Sequence, residues 1–324
     1  MHASAALSTS LLLVAAMVGC QSGAKPDMKF STAVANPSFK ENGPRVLFDE
    51  AHHNVHTGGG KYKPFVNLIK NDGYRVTPNR KPFHKETLAG YSILVIANAL
   101  GTNERNDDPA FTEEECDVVA DWVLGGGSLL FITDHYPTGT AVQNLAQRFG
   151  ISMCLGVTED SLMAPDPSDP TSILYTWENG GLVDHPSLMT IYGRTPQERV
   201  HRIQTFTGQS LAGGREAIVF LRLGPAAVDK PPQPTVERQG GDVLVHVAYG
   251  DPVSAEGRAQ GLAFEFGAGR VVALGEAAML TAQLSGYDGS PFGMNVPGID
   301  NRQLALNIMH WLAGPPVELL RPPS

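Results

Sequence analysis

Short apolar segments that end abruptly in polar residues alternate with segments of helical spacing over residues 44–150. The predicted strands are 45–48, 74–77, 92–97 and 128–133, and the predicted helices are 62–71, 112–124 and 139–149. Thr112 and Glu115 have the spacing of a capping box, which marks the start of the second helix. Strands that alternate with helices form parallel sheets through right-handed crossovers. The chain is therefore predicted to adopt an α/β fold with a doubly wound, mostly parallel sheet of the flavodoxin-like type.

The second half of the chain is less regular and predicts an added β-hairpin region. Strands are expected at 217–221, 243–248, 261–266 and 270–274, and the glycine-rich turn at 267–269 joins the last two. Residues 224–241 are rich in proline and are expected to form a loop. An amphipathic helix over 302–312 is expected to close the domain.

The first 20 residues have the features of an export signal, because an apolar core too short to span a bilayer precedes Gly19 and Cys20. A small residue followed by cysteine resembles a bacterial lipobox, so Cys20 is expected to be lipidated, with a plain secretory signal as the alternative. The predicted organisation is a lipoprotein signal peptide over 1–20, a flexible tether over 21–43, one domain over 44–314 and a tail over 315–324. The mature protein is then a membrane-anchored envelope protein, in the outer membrane if the cell is Gram-negative.

The charge of the chain argues against a nucleic-acid partner. The formal net charge is −9, the pI is about 5.5, and no run of lysine or arginine occurs. A nucleic-acid interface needs a basic surface. Cys116 and Cys154, the cysteines outside the export segment, are expected to be buried thiols rather than a disulfide.

Five ionisable residues follow the first predicted strand, namely Asp49, Glu50, His52, His53 and His56. A buried strand that opens into acids and imidazoles indicates a site at its carboxyl end. His52 and His56 are four residues apart, so on a helical turn they could share a face as metal ligands. A metal site, a metal-free ligand or catalytic site and a hydrogen-bonded structural turn all remain open, and the cofactor is unknown.

Three further strands also end in polar residues. Asn98 follows one strand, Asp134 and His135 follow another, and Glu276 follows the strand at 270–274. We expect Asp49, His52 or His53, Asn98, Asp134 and Glu276 to converge on one cleft at the carboxyl edge of the sheet. Glu50, His53, Asp134 and His135 are the catalytic candidates, and Asp49, His52, His56, Asn98 and Glu276 are the ligand-binding candidates.

Several motifs together resemble class I glutamine-amidotransferase-like domains. They are the strand ending in a polar turn, the triple glycine after a helix containing Trp122, the Asp184-His185-Pro186 segment, the GAGRVVALG hairpin and the closing helix with LNIMHWL. The nearest types are the trehalose-utilisation domain and the domain shared by gliding-motility and intraflagellar-transport proteins, over about residues 44–314. In the amidotransferases a nucleophilic cysteine follows the strand that here ends in Thr133 and Asp134, so the resemblance does not extend to that chemistry.

The function expected from these observations is binding of a small polar, carbohydrate-like ligand or envelope component in the cleft. The alternative is a hydrolase that uses a cleft carboxylate and a histidine, with or without a metal ion. The lack of a nucleophile motif favours binding, and the concentration of histidines at one strand end favours catalysis.

Overall fold

The computed structural model describes residues 23–101, 108–185, 191–239 and 242–314. The strands are β1 (Lys25–Pro26), β2 (Arg45–Asp49), β3 (Arg75–Asn79), β4 (Ile93–Ala97), β5 (Ser128–Ile132), β6 (Ser152–Met153), β7 (Val157–Asp160), β8 (Ile173–Thr176), β9 (Arg202–Thr205), β10 (Leu211–Ala212), β11 (Ile218–Arg222), β12 (Ala227–Lys230), β13 (Pro232–Gln239), β14 (Asp242–Tyr249), β15 (Val253–Ser254), β16 (Ala259–Phe266), β17 (Gly269–Leu274), β18 (Ala282–Leu284) and β19 (Pro291–Gly293). The helices are α1 (Lys63–Asn71), α2 (Lys85–Leu88), α3 (Glu113–Leu124), α4 (Thr138–Ala141), α5 (Gln143–Arg148) and α6 (Asn301–Ala313), with 3-10 turns at Pro196–Glu198 and Ala278–Leu280.

The largest sheet of the described residues has nine strands. Its order is β3-β2-β4-β5-β17-β16-β10-β6, and β11 pairs with β16 as well. Strands β3, β2, β4, β5 and β17 are mutually parallel, whereas the strands beyond β17 are antiparallel. The prediction of an α/β fold with a largely parallel central sheet is therefore confirmed. The carboxyl ends of the five parallel strands lie at one edge of the sheet.

Helices cover both faces of the parallel strands. Val46 and Phe48 of β2 belong to the core that α1 and α6 cover, whereas Leu47 belongs to the core that α3 and α5 cover. This alternation follows from the two-residue period of a strand. Both faces of β4 and β5 carry apolar side chains, because a parallel sheet that is covered by helices is buried on both sides. No helix in the described ranges is both long enough and apolar enough to cross a bilayer.

In the antiparallel part of the chain, one predicted hairpin is confirmed and one predicted loop is wrong. The glycine-rich turn joins β16 to β17, with Phe266 opposite Gly269. Residues 224–241, expected to be a loop, contain β12 and most of β13. Among the described residues, β13 pairs only with β14 in a two-stranded hairpin. Proline lacks an N–H and is tolerated there because one side of each strand has no neighbour to bond within the described part of the chain.

The helix predicted over 139–149 is divided into α4 and α5, which meet at Val142. The carbonyl oxygen of Ala141 accepts a hydrogen bond from the N–H of Ala110 at 2.7 Å. That tertiary hydrogen bond takes the place of a helical one, so the helix is interrupted at this point. The capping box, in contrast, forms as predicted at Thr112 and Glu115.

The segment 21–43 was expected to be a flexible tether, but its described part, 23–43, packs on the domain. β1 pairs with β18, and Phe30, Val34 and Phe39 pack against the core. His310 Nε2 of α6 lies 2.7 Å from both the Ser38 hydroxyl and an Asp72 oxygen, which fastens the segment to the domain. The groups that this segment contacts are distant in sequence, so its polar composition alone suggested a tether. The proposed signal peptide 1–20, the tail 315–324 and Pro186 lie outside the described residues.

Candidate functional site

The loop between β2 and α1, residues 50–62, crosses the carboxyl edge of the sheet where the strand order reverses. β2 lies between β3 and β4, so the chain leaves β2 in one direction and later returns on its other side. The Val55 N–H donates to the Asn98 carbonyl, and the Leu100 N–H donates to the His52 carbonyl, both at 2.9 Å. Such a reversal is where open α/β sheets bind ligands. Here the chain's own β2–α1 loop lies over it.

His52 lies between two buried carboxylates. Its Nδ1 lies 2.9 Å from both carboxylate oxygens of Asp49, and its Nε2 lies 2.9 Å from Oε1 of Glu115. The rings of Phe83 and Phe111 pack on the imidazole, with centroids 4.6 and 4.7 Å away. Asp49, His52 and Glu115 are called the His52 bridge below. It connects the end of β2 to the first turn of α3.

The other partners of these carboxylates are also protein groups. Asn54 and Asn79 donate side-chain hydrogen bonds to Asp49, at 3.0 and 3.2 Å. Glu115 accepts from the N–H groups of Phe83 and Thr112, both at 3.0 Å. These contacts satisfy the acceptors of both carboxylates, so the bridge is a complete hydrogen-bonded unit.

The bridge favours the protonated imidazole. Burial opposes the charge of His52, but hydrogen bonds and attraction from Asp49 and Glu115 outweigh it and raise the pKa of His52. The pKa of Glu115 is lowered, because the hydrogen bonds from Thr112, His52 and Phe83 outweigh the cost of its burial. Both directions agree with a charge-assisted pair.

His56 is buried under the same loop but has no such partners. It is fully buried, and neither ring nitrogen makes a hydrogen bond of good geometry among the described residues, the Val55 backbone making only a weak contact with the ring. Its ring packs against the Tyr62 ring, with centroids 5.4 Å apart. Burial, with a smaller contribution from the charge of Lys61, lowers the pKa of His56 to about 4. His56 is therefore a neutral imidazole with one donor and one acceptor unused.

Asn98 has a similar unused atom. It is buried, and within the described part of the chain its side-chain carbonyl oxygen has no partner. Its φ of 47° lies in the left-handed region, which asparagine tolerates better than most residues. The Asn98 backbone carbonyl accepts from the Val55 N–H, which brings the segment after β4 beside the part of the loop that carries His56. Unsatisfied buried polar atoms that cluster at a sheet edge indicate a ligand site.

Two carboxylates at the ends of β5 and β17 bind a single tight turn. Asp134 accepts from the Ala277 N–H at 3.4 Å, and Glu276 accepts from the N–H groups of Ala278 and Met279 at 2.7 Å each. Burial and the charge of Asp134 raise the pKa of Glu276 well above its usual range. Asp134 and Glu276 therefore lie close together at this edge of the sheet. His56, Tyr62, Asn98, Asp134 and Glu276 are called the His56 cluster below.

Tyr62 and Glu115 were not among the predicted site residues. The Tyr62 hydroxyl donates to the Ala277 carbonyl at 2.6 Å, and the charges of Glu276 and Asp134 act with burial to raise the pKa of Tyr62. Tyr62 was placed at a helix start, and Glu115 in a capping box. No local pattern could have linked them to histidines on the β2–α1 loop, since the contacts are tertiary.

Three of the predicted catalytic residues lie at the edge of the candidate site and not among its buried groups. His53 is exposed, with a φ of 51°. Glu50 accepts from the Gly58 N–H at 3.0 Å and lines a surface depression of about 360 Å³. His135 is 22% exposed, and its Nε2 lies 3.6 Å from Asp134. The chain turns after β5, so these neighbours approach each other, although adjacent strand residues would point to opposite faces.

The geometry separates the two histidines that were considered as joint metal ligands. Both nitrogens of His52 are engaged by carboxylates, so His52 does not share an ion with His56. Across the described ranges, no group of three or more histidine, cysteine, aspartate or glutamate residues is arranged to hold a metal ion. Cys116 is a buried free thiol, as expected, whereas Cys154 is a free thiol that is only partly buried.

Comparison with known proteins places the fold but not the chemistry. No protein-family model matches the chain, and no curated protein matches it. The mmIFT52 N-terminal domain is similar over 84% of this chain and 98% of its own, with 13% identity and a TM-score of 0.56. A ThuA-like protein from Bacteroides uniformis ATCC 8492 is similar over 87% and 94%, with 13% identity and a TM-score of 0.46. A ThuA-like protein from Parabacteroides merdae ATCC 43184 is similar over 84% and 91%, with 11% identity and a TM-score of 0.42. The neighbours include both predicted types, and at 13% identity the likeness to the mmIFT52 domain concerns the fold alone.

Proposed function

We propose that this protein binds a small, neutral, carbohydrate-like ligand at the His56 cluster. The observation that supports this function is the set of buried polar atoms without partners in the described residues: both ring nitrogens of His56 and the side-chain oxygen of Asn98. A buried polar atom without a partner costs about 1–3 kcal/mol, and a ligand hydroxyl would remove that cost. By contrast, the His52 bridge satisfies its own groups and offers nothing to a ligand.

The chemistry of the cluster favours a neutral ligand with hydroxyl groups. Neutral His56 offers one donor and one acceptor, and the Asn98 oxygen offers an acceptor. A hydroxyl can both donate and accept, so it complements each of these atoms. An anionic ligand would meet the charge of Asp134 in a region that already disfavours a second charge on Glu276.

We further propose a class I glutamine-amidotransferase-like, flavodoxin-like fold without amidotransferase activity. The order β3-β2-β4-β5-β17 and the helices on both faces support this doubly wound arrangement. The thiols of the described residues are poor nucleophiles. Burial raises the pKa of Cys116 to about 12 and also raises the pKa of Cys154, so neither forms a thiolate readily.

The proposed location is the bacterial cell envelope, with Cys20 as a lipid anchor. The short apolar core followed by Gly19 and Cys20 supports it. Cys20→Ala in the full chain is expected to move the protein from the membrane fraction to the soluble fraction. Equal soluble fractions for the wild type and this variant would reject the anchor.

Calorimetric titration with neutral mono- and disaccharides tests ligand binding. Wild-type protein should bind at least one neutral sugar, and the corresponding sugar acid should bind more weakly. His56→Leu and Asn98→Gly should abolish binding, and glycine keeps the left-handed backbone of Asn98 accessible. His53→Asn, a change on the exposed part of the same loop, should bind like the wild type. Failure of the whole neutral panel, or undiminished binding by His56→Leu, would reject the proposal.

A hydrolase is the second candidate, because Asp134 lies beside the partly exposed His135 at a strand end. The His135 Nδ1–H donates to the Tyr136 carbonyl at 2.8 Å, which fixes the ring with Nε2 toward the carboxylate. In this arrangement the Asp134 carboxylate is the group that can accept a proton from a nucleophile, with the imidazole beside it. Turnover of nitrophenyl glycosides that disappears in His135→Gln, while sugar binding remains, would favour this function over binding alone.

A further inference from the structure

Ligand entry to the His56 cluster requires the β2–α1 loop to move. His56 is itself a residue of this loop and is fully buried, and the backbone hydrogen bonds of Val55 and Leu100 join the loop to the segment that follows β4. Asn54 adds a side-chain hydrogen bond to the Ala97 carbonyl at 3.4 Å. The loop is therefore closed over the polar atoms that the proposed ligand would contact.

The His52 bridge holds this loop in its closed position. His52 belongs to the loop, whereas Asp49 ends β2 and Glu115 belongs to α3. Each imidazole nitrogen faces a carboxylate at 2.9 Å. An ionised carboxylate only accepts hydrogen bonds, so both nitrogens must carry a proton. Only the imidazolium ion satisfies this geometry, because the neutral ring would point a lone pair at one of the carboxylates.

We propose that the His52 bridge is a protonation-dependent latch that closes the β2–α1 loop over the His56 cluster. This inference rests on the proposed ligand site, since the latch regulates access to it. Loss of one proton from His52 removes a charge-assisted hydrogen bond and replaces it with repulsion. The loop then opens more often, and the buried face of His56 becomes accessible. His52 thus acts as a positioning residue and does not contact the ligand.

The surroundings of His52 make it the group that titrates. The charged groups that face it are Asp49, at the end of β2, and Glu115, from α3. The rings of Phe83 and Phe111, which also pack on His52, are uncharged. The raised pKa of His52 agrees with a latch that opens as the pH rises through the folded-state value.

Hydrogen exchange of the full chain without ligand tests the latch. Protection factors of the Val55 and Leu100 amides are measured between pH 6 and 9 and corrected for intrinsic exchange. Both should fall by about tenfold or more across the range, since a charge-assisted hydrogen bond is lost. Amides within β5 report on the folding of the whole sheet and should stay far more protected than the two loop amides at every pH, which separates loop opening from unfolding.

Two variants complete the test. His52→Gln should show reduced protection of Val55 and Leu100 at pH 6 and no further step with pH, whereas His53→Gln on the same loop should behave like the wild type. Constant loop protection in the wild type, or an unchanged step in His52→Gln, would overturn the latch. If His52→Gln also loses protection in β5, the wild-type scan decides. Because no sugar is present, failure here is distinct from failure of ligand binding.

Discussion

His52 and His56 lie four residues apart on one loop and are both buried, yet their surroundings are opposite. Both nitrogens of His52 bond to carboxylates, and its pKa is raised. Neither nitrogen of His56 has a partner among the described residues, and its pKa is lowered to about 4. The same side chain is thus cationic in one place and neutral in the other. Hydrogen-bond satisfaction, and not burial, distinguishes the residue that holds the loop from the residue offered to a ligand.

Leucine at each position gives the largest expected difference. His52→Leu leaves the buried carboxylates of Asp49 and Glu115 without their cation, and should lower the free energy of unfolding by about 3–5 kcal/mol. His56→Leu removes polar atoms that have no partner, and should leave the free energy of unfolding unchanged or raise it by about 1–3 kcal/mol. Urea unfolding measures both, with His53→Asn as the exposed control. Similar losses for the two leucine variants would show that the two environments do not differ as described.

The next largest expected difference between the two histidines is the effect of low pH on folding stability. In the unfolded chain His56 binds a proton below about pH 6.5, but in the folded protein it does so only near pH 4. Folding stability should therefore fall as the pH is lowered between these values, by about 3 kcal/mol from this group. His56→Leu should remove that part of the acid sensitivity. Unfolding curves at pH 7, 6, 5 and 4 measure the difference, and parallel profiles for the two proteins would contradict it.

The stability contribution of His52 should depend on pH in the opposite direction and should be lost at alkaline pH. Its folded-state pKa is raised, so its contribution to stability is complete below the unfolded value of about 6.5 and is lost as the pH rises through the folded value. His52→Gln should be less stable than the wild type at pH 6, and the two should converge toward pH 9. A constant stability difference across this range would show that His52 does not titrate as proposed.

The smallest expected effect concerns the anchor of the bridge at α3. Thr112→Ala removes the side chain that accepts the Glu115 N–H at 3.2 Å and donates to the Glu115 carboxylate at 3.0 Å. Loss of this cap should lower stability by about 1 kcal/mol. Glu114→Ala, an exposed change in the same helical turn, should leave stability unchanged within error. Chemical denaturation compares the two, and equal effects would mean that the cap does not support the bridge.

Local signals account for the parts of the fold that were predicted correctly. The Thr112 and Glu115 pair marks the start of α3, and the apolar runs at β2, β4 and β5 mark buried strands, because each pattern depends only on neighbours in sequence. The docked segment 23–43 and the strands within 224–241 were missed. Their stabilising partners lie far along the chain, so composition alone suggested a tether and a loop.

The candidate site divides in the same way. The residue types at the strand ends were visible in the sequence, because acids and histidines after a buried strand are unusual wherever they occur. Their pairing was not. Glu115 is 63 residues from His52, and the turn bound by Glu276 reaches Tyr62 across 215 residues. No periodic pattern in the sequence predicted that His53 is exposed or that its φ is positive.

The amino-acid sequence by itself determined an α/β chain with strands that end in ionisable residues, since strand and helix periodicity are properties of neighbouring side chains. Only the tertiary structure decided which histidine is charged and which is neutral. That outcome depends on whether a carboxylate from another element comes within hydrogen-bonding distance, as Glu115 does for His52. Proton affinity in a buried place follows from such contacts, and they exist only once the chain has folded.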